Sequence, residues 1–392
     1  MKILVTGAEG FVGQNLCAEL VNRGYDVLKY DLSSGEEALE AYCREAEFVF
    51  HLAGVNRPVD EQEFFEGNAD FSAHLCELLK KNERTVPIAM TSSIQAALDN
   101  AYGKSKVLGE EALFAYREEM GAAVYVFRLP NIFGKWSRPN YNSMVATFCH
   151  NIAREEPITI HSKSAIVPLL YIDDLVEVLI ALTEGEEPQI LTKEILEDLL
   201  PYTKREQIEA ALEGHTYYTA GPVHKESVGH VAELLYSFRA SRESKMVPYL
   251  KDGFEKKLYS TYLSFLPEDS FAYDLKMNEG VGSCFTELIK SEDRGQVSVN
   301  IIQPGITKGN HWHQSKNEKF IVVKGEGIIR LRRLDSEVVL EYLVSGEQIR
   351  AVDIPPGYTH NITNLGEEDL VTVMWANEPF DPDNPDTFYL EV

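Results

Sequence analysis

The sequence predicts a doubly wound α/β domain with a parallel sheet, followed by an all-β domain built as a sandwich or barrel. In the first half, short apolar runs alternate with helical stretches, as in repeated βαβ units. A Gly-rich turn follows the first apolar run and leads into a helix. After about residue 270, many short β-type runs are broken by Gly, Pro and Asp, which is typical of sandwiches and barrels.

The elements of the first half are predicted from this alternation of apolar runs and helical periodicity. The predicted strands are Lys2–Val5, Asp26–Tyr30, Phe48–Leu52, Val86–Met90 and Val124–Arg128. The predicted helices are Val12–Arg23, Asp70–Lys81, Tyr102–Glu119 and a last amphipathic one over Ser227–Arg242. An acidic stretch from about 188 to 226 is expected to form helices and loops.

The second half changes in character after Met246, and we place the boundary near residues 245–270. The prediction is a first domain at 1–245, a linker at 246–269 and a second domain at 270–392. The predicted strands of the second domain are Thr286–Ile289, Gln296–Gln303, Lys319–Val323, Gly327–Leu331, Gln348–Ile354 and Leu370–Trp375.

Composition excludes several classes of protein. The net charge of -25 argues against nucleic acid or an anionic membrane as a partner. Five dispersed cysteines without a CxxC pair fit a reducing compartment rather than a disulfide framework. There is neither a signal-peptide pattern nor an apolar run of the ~20 residues that would span a bilayer. We therefore expect a cytoplasmic protein with no membrane span.

The Gly-rich turn predicts a dinucleotide site. Gly7, Gly10, Phe11 and Gly13 follow the first strand and open a helix, where backbone amides favour a pyrophosphate. Asp31 ends the second strand, where a carboxylate can accept hydrogen bonds from a ribose 2′-hydroxyl. Asp31 therefore favours NAD over NADP, although Lys29 or Arg57 could still reach a phosphate. Two further cofactor contacts are expected in the turn after the third strand, at Leu52 and Ala53.

A second pattern, Tyr102-Gly103-Lys104-Ser105-Lys106, predicts an acid–base pair. Tyr102 and Lys106 lie one helical turn apart on one face. A cation in that place favours the tyrosinate, so we expect a lowered tyrosine pKa. Ser92 and Ser93 end the preceding strand and can hold a substrate carbonyl or hydroxyl.

These motifs, with His51-Leu52-Ala53-Gly54 and Arg128-Leu129-Pro130-Asn131-Ile132-Phe133-Gly134, resemble the extended short-chain dehydrogenase/reductase family that acts on nucleotide sugars. The resemblance covers about residues 1–245 and implies a Rossmann-type fold. It implies catalysis by Ser93, with Ser92 as the weaker choice, together with Tyr102 and Lys106. It places Arg128 and Asn131 near the sugar nucleotide, although Arg128 could equally be a structural ion-pair partner.

The residues after the serine bear on the reaction type. Dehydratases of this family carry an Asp-Glu pair there, whereas this chain has Ile94-Gln95-Ala96. Dehydration is therefore unexpected, which leaves reduction of a ketone or epimerisation with retained NAD.

The second domain contains a predicted metal site. His311 and His313 point the same way if they lie on a strand, since side chains alternate with period two. Glu318 and His360 complete three imidazoles and one carboxylate, a ligand set that zinc, manganese, iron and nickel all tolerate. All three histidines of residues 246–392 belong to this set. The alternative is a set of hydrogen-bonded core histidines without a metal.

The spacing Gly305-x5-His311-x-His313-x4-Glu318-x6-Gly325 resembles the first motif of the cupins, and Pro355-x-Gly357-x2-His360-x3-Asn364 resembles the end of the second. The resemblance implies a jelly-roll fold. The same strands are similar to those of the dTDP-4-keto-6-deoxyhexose 3,5-epimerases. That second likeness assigns the base to His311 and an enolate-stabilising role to Lys319. The two resemblances therefore assign His311 two roles, metal ligand and base. Tyr358 and Glu318 are possible proton carriers.

Taken together, the two halves resemble the fused reductase–epimerases of capsular polysaccharide and O-antigen synthesis. The stretches that carry this are His51–Pro58, Asn131–Trp136, Pro139–Ser143, Leu258–Leu263 and Gly309–His313. The resemblance implies a substrate, UDP-2-acetamido-2,6-dideoxy-β-L-arabino-4-hexulose. The cupin would epimerise C3, and the first domain would reduce C4 to give UDP-2-acetamido-2,6-dideoxy-β-L-talose, on the way to N-acetyl-L-fucosamine.

The same resemblance implies NADPH as reductant, zinc in the cupin and a homodimer, while Asp31 leaves NADH open. A different class of interpretation is a simple 4-keto-sugar reductase, or a 4-epimerase, whose cupin is a non-catalytic, metal-stapled dimerisation module.

Overall fold

The computed structural model describes residues 1–250 and 253–392, and the chain divides into two compact units. The first unit comprises residues 1–235 and 257–266, and the second comprises 236–256 and 267–392. Within the described residues, no helix combines the length and apolar character that crossing a bilayer requires.

The first unit is built around a five-stranded sheet in the order β2-β1-β3-β4-β5, with every neighbouring pair parallel. Its side chains alternate between two cores: Ile3 and Val5 pack on one face of the sheet, and Leu4 packs on the other. The predicted doubly wound α/β fold is confirmed. The elements are β1 (Lys2–Thr6), α1 (Phe11–Asn22), β2 (Asp26–Tyr30), α2 (Glu36–Glu45), β3 (Phe48–His51), α3 (Gln62–Phe64), α4 (Phe71–Lys81), β4 (Ile88–Ser93), α5 (Ala101–Met120) and β5 (Val124–Leu129).

A smaller sheet of three strands completes this unit, with β6 parallel and β8 antiparallel to the central β7. The acidic stretch between residues 188 and 226 forms two short helices and the start of β8, as expected for helices and loops. The elements are β6 (Asn131–Phe133), α6 (Met144–Ala153), β7 (Ile166–Tyr171), α7 (Ile172–Thr183), α8 (Lys193–Leu199), α9 (Arg205–Ala211), β8 (Val223–Ser227) and α10 (Val228–Ser244).

The predicted linker at 246–269 contains a helix, α11 (Gly253–Ser264), and residues 251 and 252 of that segment lie outside the described residues. Leu258 and Tyr262 of α11 are 0% and 1% exposed. Residues 257–266 therefore belong to the first unit, because the segment buries apolar side chains instead of only connecting two domains.

The second unit is all-β apart from its helical N-terminal segment and a short 3-10 turn at Glu268–Ser270, which confirms the predicted class. A six-stranded sheet has the order β16-β13-β18-β11-β10-β9, and a five-stranded sheet has the order β15-β14-β17-β12-β19. Ile302, Phe320, Ile329 and Ile362 form part of its apolar core. The strands are β9 (Met277–Gly280), β10 (Ser283–Ser291), β11 (Gly295–Ile302), β12 (Thr307–Trp312), β13 (Glu318–Lys324), β14 (Glu326–Arg333), β15 (Val339–Ser345), β16 (Ala351–Ile354), β17 (Tyr358–Asn364), β18 (Leu370–Ala376) and β19 (Phe388–Tyr389).

Candidate reductase site and metal centre

The Gly-rich turn between β1 and α1 packs directly against the end of β3. Gly7 has φ +70°, and a Cβ there would lie 2.7 Å from the Ala53 nitrogen. A Cβ at Gly13 would lie 2.0 Å from the Gly7 oxygen, so both positions require glycine. Helix α1 starts at Phe11 with its amides open to a pyrophosphate. The turn thus brings together six residues predicted to contact cofactor: Gly7, Gly10, Phe11, Gly13, Leu52 and Ala53.

Asp31 is fixed beside this turn by backbone hydrogen bonds. Its Oδ2 accepts from the Glu9 amide at 2.9 Å, and its Oδ1 accepts from the Leu32 amide at 2.9 Å. The Asp31 amide donates to Ser34 Oγ at 3.1 Å, which completes a capping box on the following 3-10 turn. The carboxylate therefore lies at the rim of the Gly-rich turn, where the sequence places it.

A buried chain of hydrogen bonds supports the turn after β3. His51 Nε2 lies 2.8 Å from Ser72 Oγ, and the Ser72 hydroxyl donates to the Asn68 carbonyl. Since that hydroxyl proton is used, His51 must donate from Nε2 and accept at Nδ1 from Thr6, 2.8 Å away. Thr6 Oγ1 in turn accepts from the Ala53 amide at 3.4 Å. Burial lowers the pKa of His51 to about 3, so the ring is neutral and structural.

The predicted catalytic side chains meet at the carboxyl end of β4. The Asn100 side chain caps α5 by accepting from the Gly103 amide, and this starts the helix one residue before Tyr102. Ser93 lies within hydrogen-bonding reach of the Tyr102 oxygen, and Lys106 Nζ is 5.8 Å from the Tyr102 ring centroid. The Tyr102 hydroxyl donates to Asn56 Oδ1 at 3.0 Å. Asn56 was not among the predicted site residues, and only tertiary packing brings it here.

The predicted lowering of the Tyr102 pKa is wrong for this structure. Burial raises the pKa of Tyr102 to about 12, and the hydrogen bond with Ser93 offsets this only in part. Burial also lowers the pKa of Lys106 to about 8, against the attraction of Glu110. Desolvation is the largest cause of both pKa shifts.

Arg128 occupies a buried ion pair instead of facing a ligand. It is 1% exposed, and its Nη2 lies 2.5 Å from Glu110 Oε2. Its Nη1 donates to the Ala211 carbonyl, and its guanidinium carbon lies 3.6 Å from the Tyr217 ring centroid. This corrects the assignment of Arg128 to the sugar nucleotide, because its charge is already satisfied within the protein. The arrangement is the structural alternative that the sequence left open.

The Glu110 carboxylate distinguishes Ser92 from Ser93. Ser92 Oγ donates to Glu110 Oε1 at 2.5 Å and is buried, whereas Ser93 lies beside Tyr102. Ser93 is thus the serine free to meet a substrate oxygen. Asn131, the other predicted sugar contact, is exposed at the start of β6.

The second unit gathers the predicted metal ligands. One possible ligand atom from each of His311, His313, Glu318 and His360 lies within 4.8 Å of all the others. Glu318 Oε2 is 3.4 Å from His313 Nε2 and 3.2 Å from His360 Nε2. These three atoms are buried and lack a hydrogen-bond partner. Buried polar atoms that converge without partners fit a cation between them.

The pKa shifts of His311 and Glu318 agree with that fit. Burial lowers the pKa of His311 to about 4, and His360 adds to the shift, so the ring is neutral as a ligand must be. Burial alone would raise the pKa of Glu318, but the neighbouring His313 and His360 rings hold it well below its ordinary value.

A residue near the end of the chain orients this site. His313 Nδ1 lies 2.5 Å from the Asp386 carbonyl, so Nδ1–H donates and Nε2 faces the cluster. The Asp386 carboxylate also accepts from the amides of Gln314, Ser315 and Lys316 at 2.9, 3.0 and 2.9 Å. Sequence reasoning missed Asp386, since it lies 73 residues from His313 and no local spacing indicates it.

Lys319 does not join the cluster, which corrects its predicted role. Glu318 and Lys319 are consecutive on β13, so their side chains point to opposite faces of the sheet. The Lys319 ammonium pairs with Asp353 of β16, whose side chain is 74% exposed. Tyr358, a possible proton carrier, packs against the apolar core.

The lysine on the inner face is Lys308. On β17, Ile362 is buried in the core and His360 is completely buried, so this face of the strand points inward. Lys308 pairs with Ile362 and His311 pairs with His360, which places both on that inner face. A Cβ built on Gly280 would lie 3.5 Å from Lys308 Nζ, so the ammonium reaches the hairpin of β9 and β10.

Comparison with known proteins follows the same division of the chain. A model of the NAD dependent epimerase/dehydratase family matches residues 3–192, and a model of the polysaccharide biosynthesis C-terminal domain matches residues 279–388. UDP-glucuronic acid 4-epimerase from Bacillus cereus, solved in complex with NAD, shares the fold of the first part at 17% identity. It covers 68% of this chain and 98% of its own, with a TM-score of 0.52.

Two relatives match the whole chain. The UDP-2-acetamido-2,6-beta-L-arabino-hexul-4-ose reductase of Pseudomonas aeruginosa is 45% identical over 393 residues, which cover 100% of this chain and 99% of the relative. A crystal structure of the capsular polysaccharide assembling protein CapF from Staphylococcus aureus is 47% identical, with a TM-score of 0.89 and 100% coverage of both chains. The chain therefore belongs to the family of CapF and of this reductase.

Proposed function

We propose that the chain is a bifunctional enzyme acting on UDP-2-acetamido-2,6-dideoxy-β-L-arabino-4-hexulose. The second unit inverts C3, and the first then reduces the C4 ketone to give UDP-2-acetamido-2,6-dideoxy-β-L-talose. The observation that carries the proposal is the presence of two gathered sites, Ser93–Tyr102–Lys106 and the His/Glu cluster, on a chain 45% identical to a reductase named for this hexulose.

The reduction needs a hydride and a proton at opposite ends of the C4 carbonyl. A reduced nicotinamide, when bound at the Gly-rich turn, supplies the hydride to the C4 carbon. Tyr102 donates its phenolic proton to the C4 oxygen, and Ser93 donates a hydrogen bond to the same oxygen. Lys106, if protonated, stabilises the tyrosinate that remains. The ketone becomes an alcohol, and solvent returns the proton to Tyr102.

The epimerisation uses the acidity of the C3 hydrogen beside the ketone. A general base takes that proton, the electron pair of the C–H bond moves onto the C4 oxygen as an enolate, and a general acid returns a proton to C3 on the opposite face, which inverts C3. His311, His313, Glu318 and His360 would hold a divalent metal, for which zinc suits the donor set, and the metal supplies a positive charge for the enolate. Lys308 offers a second positive charge on the inner face.

The assignment of His311 follows from its place in the ligand cluster. One ring nitrogen of His311 belongs to that cluster, and a nitrogen bound to a metal could not take a proton from the sugar. We therefore propose His311 as a metal ligand and not as the epimerase base.

A second candidate is a plain 4-keto-sugar reductase whose second unit binds a structural metal. The deep burial of His313 and His360, at 3% and 0% exposed, favours it, because structural metal sites are closed to solvent. The two candidates differ in one measurement. The bifunctional enzyme exchanges the C3 hydrogen of the hexulose for deuterium in D2O without any nicotinamide, whereas the plain reductase leaves that hydrogen in place.

The full reaction is tested by incubating the protein with the hexulose, with and without NADH or NADPH, and assigning the product by NMR. The talo product is expected with reductant, and C3 exchange alone is expected without it. A product reduced at C4 with unchanged C3 configuration would refute the epimerase half and leave the reductase half standing.

We also propose that the protein works in the cytoplasm as a homodimer in capsular or O-antigen polysaccharide synthesis. The support is the family, since the CapF relative is named as a capsular polysaccharide assembling protein. Light scattering of the purified chain tests the dimer, and a mass of 44.2 kDa in solution would contradict it.

A further inference from the structure

We infer that the reductase site prefers NADH to NADPH, because two acidic residues, Glu9 and Asp31, line the cavity at the end of β2, where an adenosine ribose would bind. The inference rests on the reductase half of the proposed function. Its test uses no sugar, so either can fail without the other.

Asp31 is held in place by the structure and cannot easily turn away. Both of its carboxylate oxygens accept backbone amide protons, from Glu9 and Leu32, and its own amide donates to Ser34 Oγ. Each oxygen keeps a lone pair that can accept from a ribose hydroxyl. A 2′-phosphate has no proton to offer at neutral pH and carries a charge of about -1.5 to -2. The fixed carboxylate thus accepts the hydroxyl and repels the phosphate.

Glu9 adds a second negative charge to the lining of this site. It belongs to the Gly-rich turn, and with Asp31 it lines a cavity of about 430 Å³ between α1 and the end of β2. Lys29 is the cation among the lining residues, so two carboxylates and one ammonium give the cavity a net charge of -1. No ion pair to Glu9 or Asp31 is formed within residues 1–250 and 253–392, so neither negative charge is neutralised.

The lining of the cavity also includes Trp136, which is 52% exposed and has φ +69°. A positive φ is strained for a bulky side chain. The Lys135 carbonyl accepts from Asn15 Nδ2 at 3.2 Å, and the Lys135 ammonium pairs with Asp173. These contacts hold Trp136 at the cavity, where its fluorescence reports on a bound nucleotide.

The test is equilibrium binding of NADH and of NADPH to the full-length protein, followed by nicotinamide and tryptophan fluorescence. NADH is expected to bind at least about tenfold more tightly, which corresponds to about 1.4 kcal/mol. The ratio should shrink as salt rises, because screening weakens repulsion between exposed charges. Equal affinity, or tighter binding of NADPH through Lys29, would overturn the inference.

Variants separate charge from folding. Asp31→Asn and Glu9→Gln keep the shape and remove one charge each, and both should bring the NADPH affinity closer to that of NADH. Glu9→Lys should do so more strongly. The matched control is Glu118→Lys, the same charge change at an exposed position of α5, which should leave the ratio unchanged. If Glu9→Lys and Glu118→Lys change the ratio equally, the effect belongs to net charge and the inference fails.

Discussion

Lys308 and His311 lie three positions apart on β12, yet both face the interior of the second unit. On a regular strand an odd separation puts side chains on opposite faces. Here the pairing with β17 slips by one residue between Gly309 and His311, where Gly309 has φ +105° and Asn310 has φ +59°. This bulge returns His311 to the face of Lys308. It thus brings a cation and a histidine of the His/Glu cluster to one side of the sheet.

Replacing Lys308 should impair the epimerase step, whereas replacing Lys319 should not. Lys308→Ala removes the inward-facing ammonium, and we expect C3–H exchange in D2O to slow by about a hundredfold to a thousandfold, the scale for loss of one donor to a developing oxyanion. Lys319→Ala is the matched control, because its ammonium pairs with Asp353 on the opposite face. Exchange is measured by NMR of the hexulose. If Lys319→Ala slows C3–H exchange and Lys308→Ala does not, then Lys319 and not Lys308 serves the epimerase step.

Arg128 should matter for stability more than for substrate binding. Arg128→Met leaves Glu110 buried and unpaired, which costs about 3–5 kcal/mol of unfolding free energy. Arg23→Met is the comparison: it breaks surface ion pairs with Glu19, Glu177 and Glu184, which water screens, so it should lower the stability much less. Calorimetric melting temperatures compare the two. An Arg128→Met protein of normal stability with a raised KM for the sugar would restore the substrate role.

The reductase should lose activity as the pH rises through about 8. Burial lowers the pKa of Lys106 to about 8, so its ammonium is present below that pH and lost above it. Tyr102 keeps its proton throughout, because burial raises its pKa to about 12. The measurement is kcat/KM for nicotinamide oxidation between about pH 6 and 10. Arginine stays charged over this pH range, so Lys106→Arg should shift the decrease in kcat/KM to higher pH. If the decrease stays near pH 8 in this variant, a group other than Lys106 causes it.

Removal of metal should act on the second unit alone. The converging nitrogens and the Glu318 carboxylate should bind about one divalent ion per chain, measured by elemental analysis. Chelation should lower the melting temperature and stop C3–H exchange while leaving NADH binding intact. His360→Ala should lose the ion as well. Full exchange by metal-free protein would show that the cluster does no chemistry on the sugar.

Asp386 gives a milder test of the same centre. Asp386→Asn keeps the carbonyl that accepts from His313 and weakens the three amide contacts of the carboxylate. We expect metal affinity to fall by about tenfold to a hundredfold, as for other supporting contacts behind a ligand. A competition titration with a chromophoric chelator measures it. An unchanged affinity would mean that the backbone carbonyl suffices.

Local spacing in the sequence was enough to predict the two folds, the glycine turn, the place of Tyr102 and Lys106 on one helix face, and the grouping of His311, His313 and Glu318. Each of these depends on backbone periodicity over a few residues, which the sequence displays directly. His360 was predicted as well, although it lies far along the chain, because a second short motif surrounds it.

Tertiary structure alone decided the partners of these residues. Arg128 forms an ion pair with Glu110, and Ser92 donates a hydrogen bond to the same carboxylate. Asn56 accepts a hydrogen bond from Tyr102, and the Asp386 carbonyl accepts one from His313. Lys308 points inward and Lys319 points outward, because the register with the neighbouring strand decides which face of the sheet a side chain occupies. The sequence by itself determined which chemical groups are available. Strand register and burial decided which groups face one another and which carry a charge, because both depend on contacts between distant parts of the chain.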